Sequence, residues 1–121
     1  MAKTDATLKG NLDRLEPLLA KLKAAPIAHV IGGARPVVEA TFETHSPTDK
    51  SLIARVAKGT AADIDKAAQA AMKAFKSWAN VDPDKRRALL HKIADTIEAH
   101  ADDIAVLESW DTGQPFRFMS K

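Results

Sequence analysis

The residues of this chain that could do chemistry are four histidines, the acidic side chains and one glycine pair. No histidine forms an HxxxH or HExxH pair, the spacings that bring two imidazoles to one metal ion on a helix. Two of them, His91 and His100, are nine residues apart on one predicted helix, so they would lie on opposite sides of it. The sequence therefore predicts no imidazole metal site. The other two histidines are His29 and His45.

The acidic and hydroxyl side chains do not form a catalytic pattern either. Asp102 and Asp103 are adjacent on the predicted helix, with Glu98 one turn earlier, and adjacent helix residues do not face each other. They are interpreted as part of a solvated polar face. Ser109 and Ser120 have no histidine placed in the sequence to activate them.

The glycine and cysteine content narrows the chemistry further. Gly32-Gly33 is the only glycine pair among 5 glycines, too few for a GxGxxG or P-loop phosphate cradle, so the pair is interpreted as a turn. The chain has no cysteine, which excludes a disulfide, a thiolate zinc site and a cysteine nucleophile within its 121 residues. The residues alone predict structural roles and neither a catalytic nor a cofactor-binding set.

Composition limits the class of protein and its partners. Hydrophobic residues make up 45% and charged residues 28% of the chain, as in soluble globular proteins. The 18 basic and 16 acidic residues are interleaved, so no basic stripe for nucleic acid is present. No apolar stretch approaches the ~18 residues that span a membrane. The polar start of the chain does not resemble a secretory signal. We expect a cytoplasmic protein without nucleic-acid or membrane partners.

The first half of the chain predicts one helix and a hairpin. Leucines spaced four and three apart predict a helix over 8–24, with Pro17 either kinking or restarting it. Strands are predicted at 27–31, 37–44 and 51–57, the last two joined by a turn at 46–50. An isolated hairpin is marginal in water, so this one needs a surface to pack on.

The second half predicts two long amphipathic helices. Thr60 and Asp63 have the spacing of a capping box, and apolar residues from Ile64 to Trp78 mark one face of the first helix. The second helix is expected to begin at Asp82-Pro83 and to stop at Gly113.

Six segments in fixed order resemble the beginning of the NAD(P)-dependent aldehyde dehydrogenases. The resemblance covers about three-quarters of the chain, from Ile31 onward, and includes the "I-A-x-V-x-x-G" strand and the "A-F-x-x-W" helix of that family. The segments are Ile31–Gly33, Ser46–Asp49, Ile53–Gly59, Asp63–Trp78, Arg86–Glu98 and Leu107–Pro115.

This resemblance implies an α/β fold, the three-layer aldehyde dehydrogenase fold, for a longer parent protein. In that parent, residues 1–28 are expected to be an N-terminal helical extension. Residues 29–121 are expected to be the truncated first part of the N-terminal domain, a hairpin plus two helices. The parent is expected to be a homo-oligomer whose remaining chain packs on this segment.

The family's chemistry implies that the reacting groups lie outside this segment. A cysteine thiolate attacks the aldehyde, hydride passes to NAD or NADP, and a glutamate assists hydrolysis, while an asparagine and a backbone N–H hold the oxyanion. All of these, with the nucleotide site, lie downstream of the sequence in hand, so the missing cysteine is interpreted as truncation. The one site carried over is a structural cation held by the backbone carbonyls of His45 and Asp111.

The closing stretch, Gly113–Lys121, resembles the branch that includes 5-carboxymethyl-2-hydroxymuconate-semialdehyde dehydrogenase of aromatic compound catabolism. An oxidoreductase acting on such a semialdehyde is therefore the expected parent. The alternative is a non-enzymatic small helical interaction module. Under the first hypothesis the isolated 121 residues should fold poorly, and under both they should be inactive toward aldehydes.

Overall fold

A computed structural model describes residues 7–120, in which five helices and two strands are found. Expectations that involve residues 1–6 or 121, at the ends of the predicted extension and of the closing stretch, lie outside the described residues. Within them, 7–27, 42–56 and 100–120 form one compact unit and 28–41 and 57–99 a second. The elements are α1 (Leu8–Ala24), β1 (Thr41–His45), β2 (Leu52–Ala57), α2 (Ala61–Trp78), α3 (Pro83–Ala99), α4 (Ala101–Thr112) and α5 (Phe116–Met119).

The first unit is built around α1 and α4, which pack against each other. Thr7 caps α1 by accepting a hydrogen bond from the Gly10 N–H at 3.1 Å. The helix runs through Pro17 in one piece, so of the two alternatives at this residue, a kink or a restart, the restart is not observed. Leu15 on α1 is buried, and so are Ala105 and Val106 on α4. This contact forms the apolar core of the unit together with the hairpin.

Ion pairs join the same two helices. Arg14 on α1 lies 3.0 Å from Asp102 and 3.7 Å from Asp103 in the first turn of α4. These carboxylates were expected to form a solvated polar face; their side chains are 38% and 42% exposed, and α1 in addition brings a guanidinium to them. Their place at a helix N-terminus is also favourable, since the helix dipole stabilises negative charge there.

The hairpin of β1 and β2 has a tightly bonded turn. The Ser46 N–H donates to the Ser51 carbonyl at 2.9 Å, and the Lys50 N–H donates to the Ser46 carbonyl at 2.9 Å. Asp49 accepts a hydrogen bond from the Ser51 N–H at 2.9 Å, which holds the pKa of that carboxyl below its usual value. Ser46 is fully buried, as are Ile53 and Ala54 of β2. The predicted turn at 46–50 is therefore present.

The strands are shorter than the sequence pattern predicts. No strand forms over 27–31, where Ile27 makes a single parallel bridge to Val56 and Ile31 an antiparallel bridge to Ala34. The second predicted strand begins only at Thr41. The β-branched residues alone did not predict the strand bounds correctly, because a strand also needs a neighbouring strand to pair with.

The second unit contains α2 and α3, which bury none of their side chains. The expected capping box starts α2: the Asp63 N–H donates to Thr60 Oγ1 at 3.3 Å, and the Thr60 N–H donates to Asp63 Oδ2 at 2.9 Å. The side-chain hydrogen bond from Thr60 lowers the pKa of Asp63. Asp82 caps α3 by accepting from the Asp84 N–H at 2.8 Å. The predicted starts of both helices are confirmed.

The apolar stripes of α2 and α3 are exposed in the second unit. On α2, Phe75 is 65% exposed and Met72 72%, and on α3, Leu90 is 61% exposed and Ile97 57%. A helix with an apolar stripe is normally buried along it. These two stripes are therefore left unpacked within the second unit.

The predicted second helix is divided at His100 into α3 and α4. His100 has φ −111° and ψ 11°, outside the helical region, and the Ile104 N–H donates to its carbonyl at 3.0 Å to begin α4. The buried residues of α4 are Ala105 and Val106. The expectation that His91 and His100 share one helix is thus wrong.

The end of α4 lies where the sequence predicts it. Gly113 ends α4 in the left-handed conformation, with φ 75°, as predicted. A short helix, α5, follows Pro115. Among residues 7–120, no helix is both long and apolar enough to cross a membrane.

Candidate functional site

The end of β1 and the last turn of α4 meet in the first unit through a polar contact. Thr44 Oγ1 donates a hydrogen bond to Asp111 Oδ1 at 3.1 Å, although the two residues are 67 positions apart in the sequence. The hairpin turn positions Thr44, and the α4 packing on α1 positions Asp111. This contact brings together the two chain segments that carry the expected cation site.

The His45 ring does not take part in the Thr44–Asp111 contact. Successive residues of a strand point to opposite faces, so the His45 side chain lies on the face opposite Thr44. There its Nε2 lies 3.5 Å from Glu43, which also contacts Arg55 Nε at 3.4 Å. The Ser46 N–H donates to the Ser51 carbonyl, just before β2, and neighbouring residues of a strand direct their carbonyls to opposite edges. The His45 carbonyl therefore faces the outer edge of β1, away from β2.

The carbonyl of Asp111 lies at the C-terminal end of α4. In an α-helix it would accept from the N–H four residues on, but that residue is Pro115, which has no N–H. The carbonyls at a helix C-terminus also carry the negative end of the helix dipole. A cation near this carbonyl would be held by the helix end and by the Asp111 carboxylate.

The surroundings of the contact decide which ligands could take part. Thr44, Glu108 and Asp111 line an open cavity of about 300 Å³ whose other walls are apolar, including Leu22 and Ile53. Among the described residues, no group of three His, Cys, Asp or Glu side chains could hold a metal ion. Oxygen ligands from carbonyls and a carboxylate suit a hard cation and not a transition metal.

The sequence reasoning did not identify Thr44 as part of this site. Its position in the strand could have indicated the face on which it lies. Thr44 directly precedes His45, so its hydroxyl must point to the face of β1 opposite the imidazole. Asp111 was identified only through the family pattern. Its contact with β1 depends on tertiary packing, which no local pattern in either segment contains.

The glycine pair has a purely conformational role. Gly32 and Gly33 have φ values of 59° and 82°, and Ile31 and Ala34 exchange two hydrogen bonds of 3.0 Å around them. Two central residues with positive φ form the two-residue turn that matches strand twist. The expected turn is confirmed.

Residues 35–121, which are most of the chain, match the sequence model of the aldehyde dehydrogenase family. The chain belongs to the aldehyde dehydrogenase family. Among curated aldehyde dehydrogenases, the NADP/NAD-dependent aldehyde dehydrogenase PuuC of Escherichia coli is 46% identical over 79 residues. That match covers 64% of this chain and 16% of the relative, so the chain spans about one-sixth of the length of PuuC.

Solved structures agree with this assignment. The crystal structure of HpcC from Thermus thermophilus superposes with a TM-score of 0.85 at 33% identity, covering 90% of this chain and 22% of that one. PnpE in complex with nicotinamide adenine dinucleotide gives a TM-score of 0.73 at 38% identity, with 78% of this chain and 20% of that one covered. The predicted α/β fold class of the aldehyde dehydrogenases is therefore confirmed for this segment.

Proposed function

We propose that this chain forms the N-terminal segment of an NAD(P)-dependent aldehyde dehydrogenase that oxidises an aldehyde to a carboxylate. The family match over residues 35–121 carries the proposal. The chain has no cysteine, the nucleophile that the family resemblance implies. The segment therefore contributes packing and position, while the reacting groups belong to the remaining dehydrogenase chain.

The exposed stripes of α2 and α3 are the surfaces through which the segment would act. The remainder of the dehydrogenase chain is the proposed partner, because the relatives that match this segment are several times longer than it. In this proposal residues 1–28 are an N-terminal extension and residues 29–121 are the first part of the N-terminal domain. A free-standing helical interaction module is the alternative, which the family match does not favour.

NAD or NADP is the proposed cofactor of the complete enzyme. PuuC is named for use of both dinucleotides, and PnpE was solved with the nicotinamide dinucleotide. The cofactor would accept the hydride from the aldehyde carbon. No described residue of this segment is assigned to hold it, since Gly32-Gly33 forms a strand turn and not a phosphate cradle.

We further propose a muconate-type semialdehyde substrate, a cytoplasmic location and a homo-oligomeric assembly. The substrate rests on the resemblance of the closing stretch, Gly113–Lys121, to one branch of the family. Comparing kcat/KM of the complete enzyme for this semialdehyde and for simple aliphatic aldehydes tests it. Equal values for both substrate classes would remove the support for this branch.

A chimeric enzyme makes the main proposal testable. In this chimera, residues 35–121 of our chain replace the matching residues of PuuC, which supplies the rest of the dehydrogenase. We expect the chimera to oxidise aldehydes with NAD(P). Its activity is measured by the formation of reduced dinucleotide, with unmodified PuuC as the reference.

The cation site predicts that Asp111→Asn weakens stabilisation by small cations. We propose that the carbonyls of His45 and Asp111 hold a structural cation, supported by the Thr44–Asp111 hydrogen bond of 3.1 Å. Replacing sodium and potassium by tetramethylammonium should destabilise the parent chimera, by about 2.7 kcal/mol if the cation was 100-fold above its dissociation constant. In Asp111→Asn this loss should shrink, because the carboxylate charge is gone.

The control for this experiment is Asp84→Asn, which removes an exposed carboxylate from α3. It should leave the cation dependence of the melting temperature unchanged. If the parent chimera melts at the same temperature in sodium, potassium and tetramethylammonium, the cation site is wrong.

Gly113→Ala should destabilise the chimera for two separate reasons. A residue with a side chain at φ 75° costs ~1–2 kcal/mol. A Cβ there would also lie 3.1 Å from Pro47 Cγ, so the Pro47 side chain would have to move by a few tenths of an ångström. We expect the free energy of unfolding in urea to fall by ~2–3 kcal/mol, the strain plus a modest clash.

Alanine substitutions at two other glycines separate the effect of backbone strain from the effect of the clash. Gly33→Ala has strain without a clash, since φ is 82° and no atom lies within 4 Å of the added Cβ. Gly59 has no positive φ and would place its Cβ 3.6 Å from the His29 ring, an ordinary contact, so Gly59→Ala should change little. A Gly113→Ala effect no larger than that of Gly59→Ala would contradict the assigned end of α4.

A further inference from the structure

We draw no further inference here: the strongest candidate, the cavity of about 340 Å³ between the 36–40 segment and the first turn of α2, is lined by Lys58 and Lys66 together with Glu39 and Asp63, so that its charges cancel, and the buried Nε2 atom of His29 beside it has almost no accessible surface with which to hold a ligand.

Discussion

Phe75→Asp is expected to abolish the soluble, active chimera while barely changing the isolated chain. In the chain, Phe75 is 65% exposed, so a charge at this position remains in water. In the complete dehydrogenase the stripe of α2 would be covered. Truncating a buried phenylalanine costs ~3–5 kcal/mol, and burying an unpaired carboxylate costs several more. That loss is comparable to the 5–15 kcal/mol that holds a typical protein folded.

Two matched variants make this result interpretable. Gln69→Asp adds the same charge to the polar side of the same helix and should leave the chimera soluble and active. Phe75→Leu keeps an apolar side chain and should retain most of the activity. The readouts are soluble yield, melting temperature and the rate of NAD(P) reduction. An active, stable Phe75→Asp chimera would mean that the α2 stripe is not covered in the enzyme.

The isolated chain is expected to unfold without a cooperative transition. Its buried apolar residues among those described are few and mostly small: Leu15, Ile53, Ala54, Ala57, Ala105 and Val106. Neither α2 nor α3 buries a side chain. Such a core is too thin to offset the loss of chain entropy on folding. Calorimetry of the 121-residue chain should therefore show a broad, weak transition. A dye that binds exposed apolar surface should fluoresce in the presence of this chain.

The same experiment separates the two functional hypotheses. A sharp melt whose calorimetric and van't Hoff enthalpies agree would indicate an independently folded module. In that case the exposed stripes of α2 and α3 would serve some other partner. The chimera provides the positive control, because the same residues should then melt cooperatively within the complete enzyme.

The sequence predicted those parts of the fold that depend on local chemistry. The leucine spacing placed α1, and Thr60 and Asp82 marked the starts of α2 and α3 because their side chains cap neighbouring N–H groups. Gly113 marked the end of α4 because few other residues adopt a positive φ. These features need only a few neighbouring residues, so an order of residue types is enough to identify them.

The features that the sequence did not predict depend on tertiary packing. The break at His100 follows from α4 turning its buried side toward α1, and the pattern of apolar residues runs through it without a visible signal. The pairing of Arg14 with Asp102 and the contact of Thr44 with Asp111 join segments that are far apart in the sequence. The α/β fold class came from the ordered family motifs, not from periodicity.

The absence of cysteine is consistent with the proposed place of this segment in a longer dehydrogenase. The chain carries helix caps, turns and apolar stripes, but not the cysteine nucleophile that the family resemblance implies. Its exposed stripes fit a segment that packs on more chain. Both properties follow from one assignment, and a helical module would need a separate reason for each.

The most direct test of this account is the rate of aldehyde-dependent NAD(P) reduction, measured side by side for the chimera and for the purified 121-residue chain. We expect the chimera to reduce NAD(P) at a rate within about tenfold of PuuC, a barrier change of no more than ~1.4 kcal/mol. We expect no rate above background for the chain alone. A soluble but inactive chimera, or aldehyde oxidation by the chain itself, would contradict the assignment of this chain as a non-catalytic segment of an aldehyde dehydrogenase.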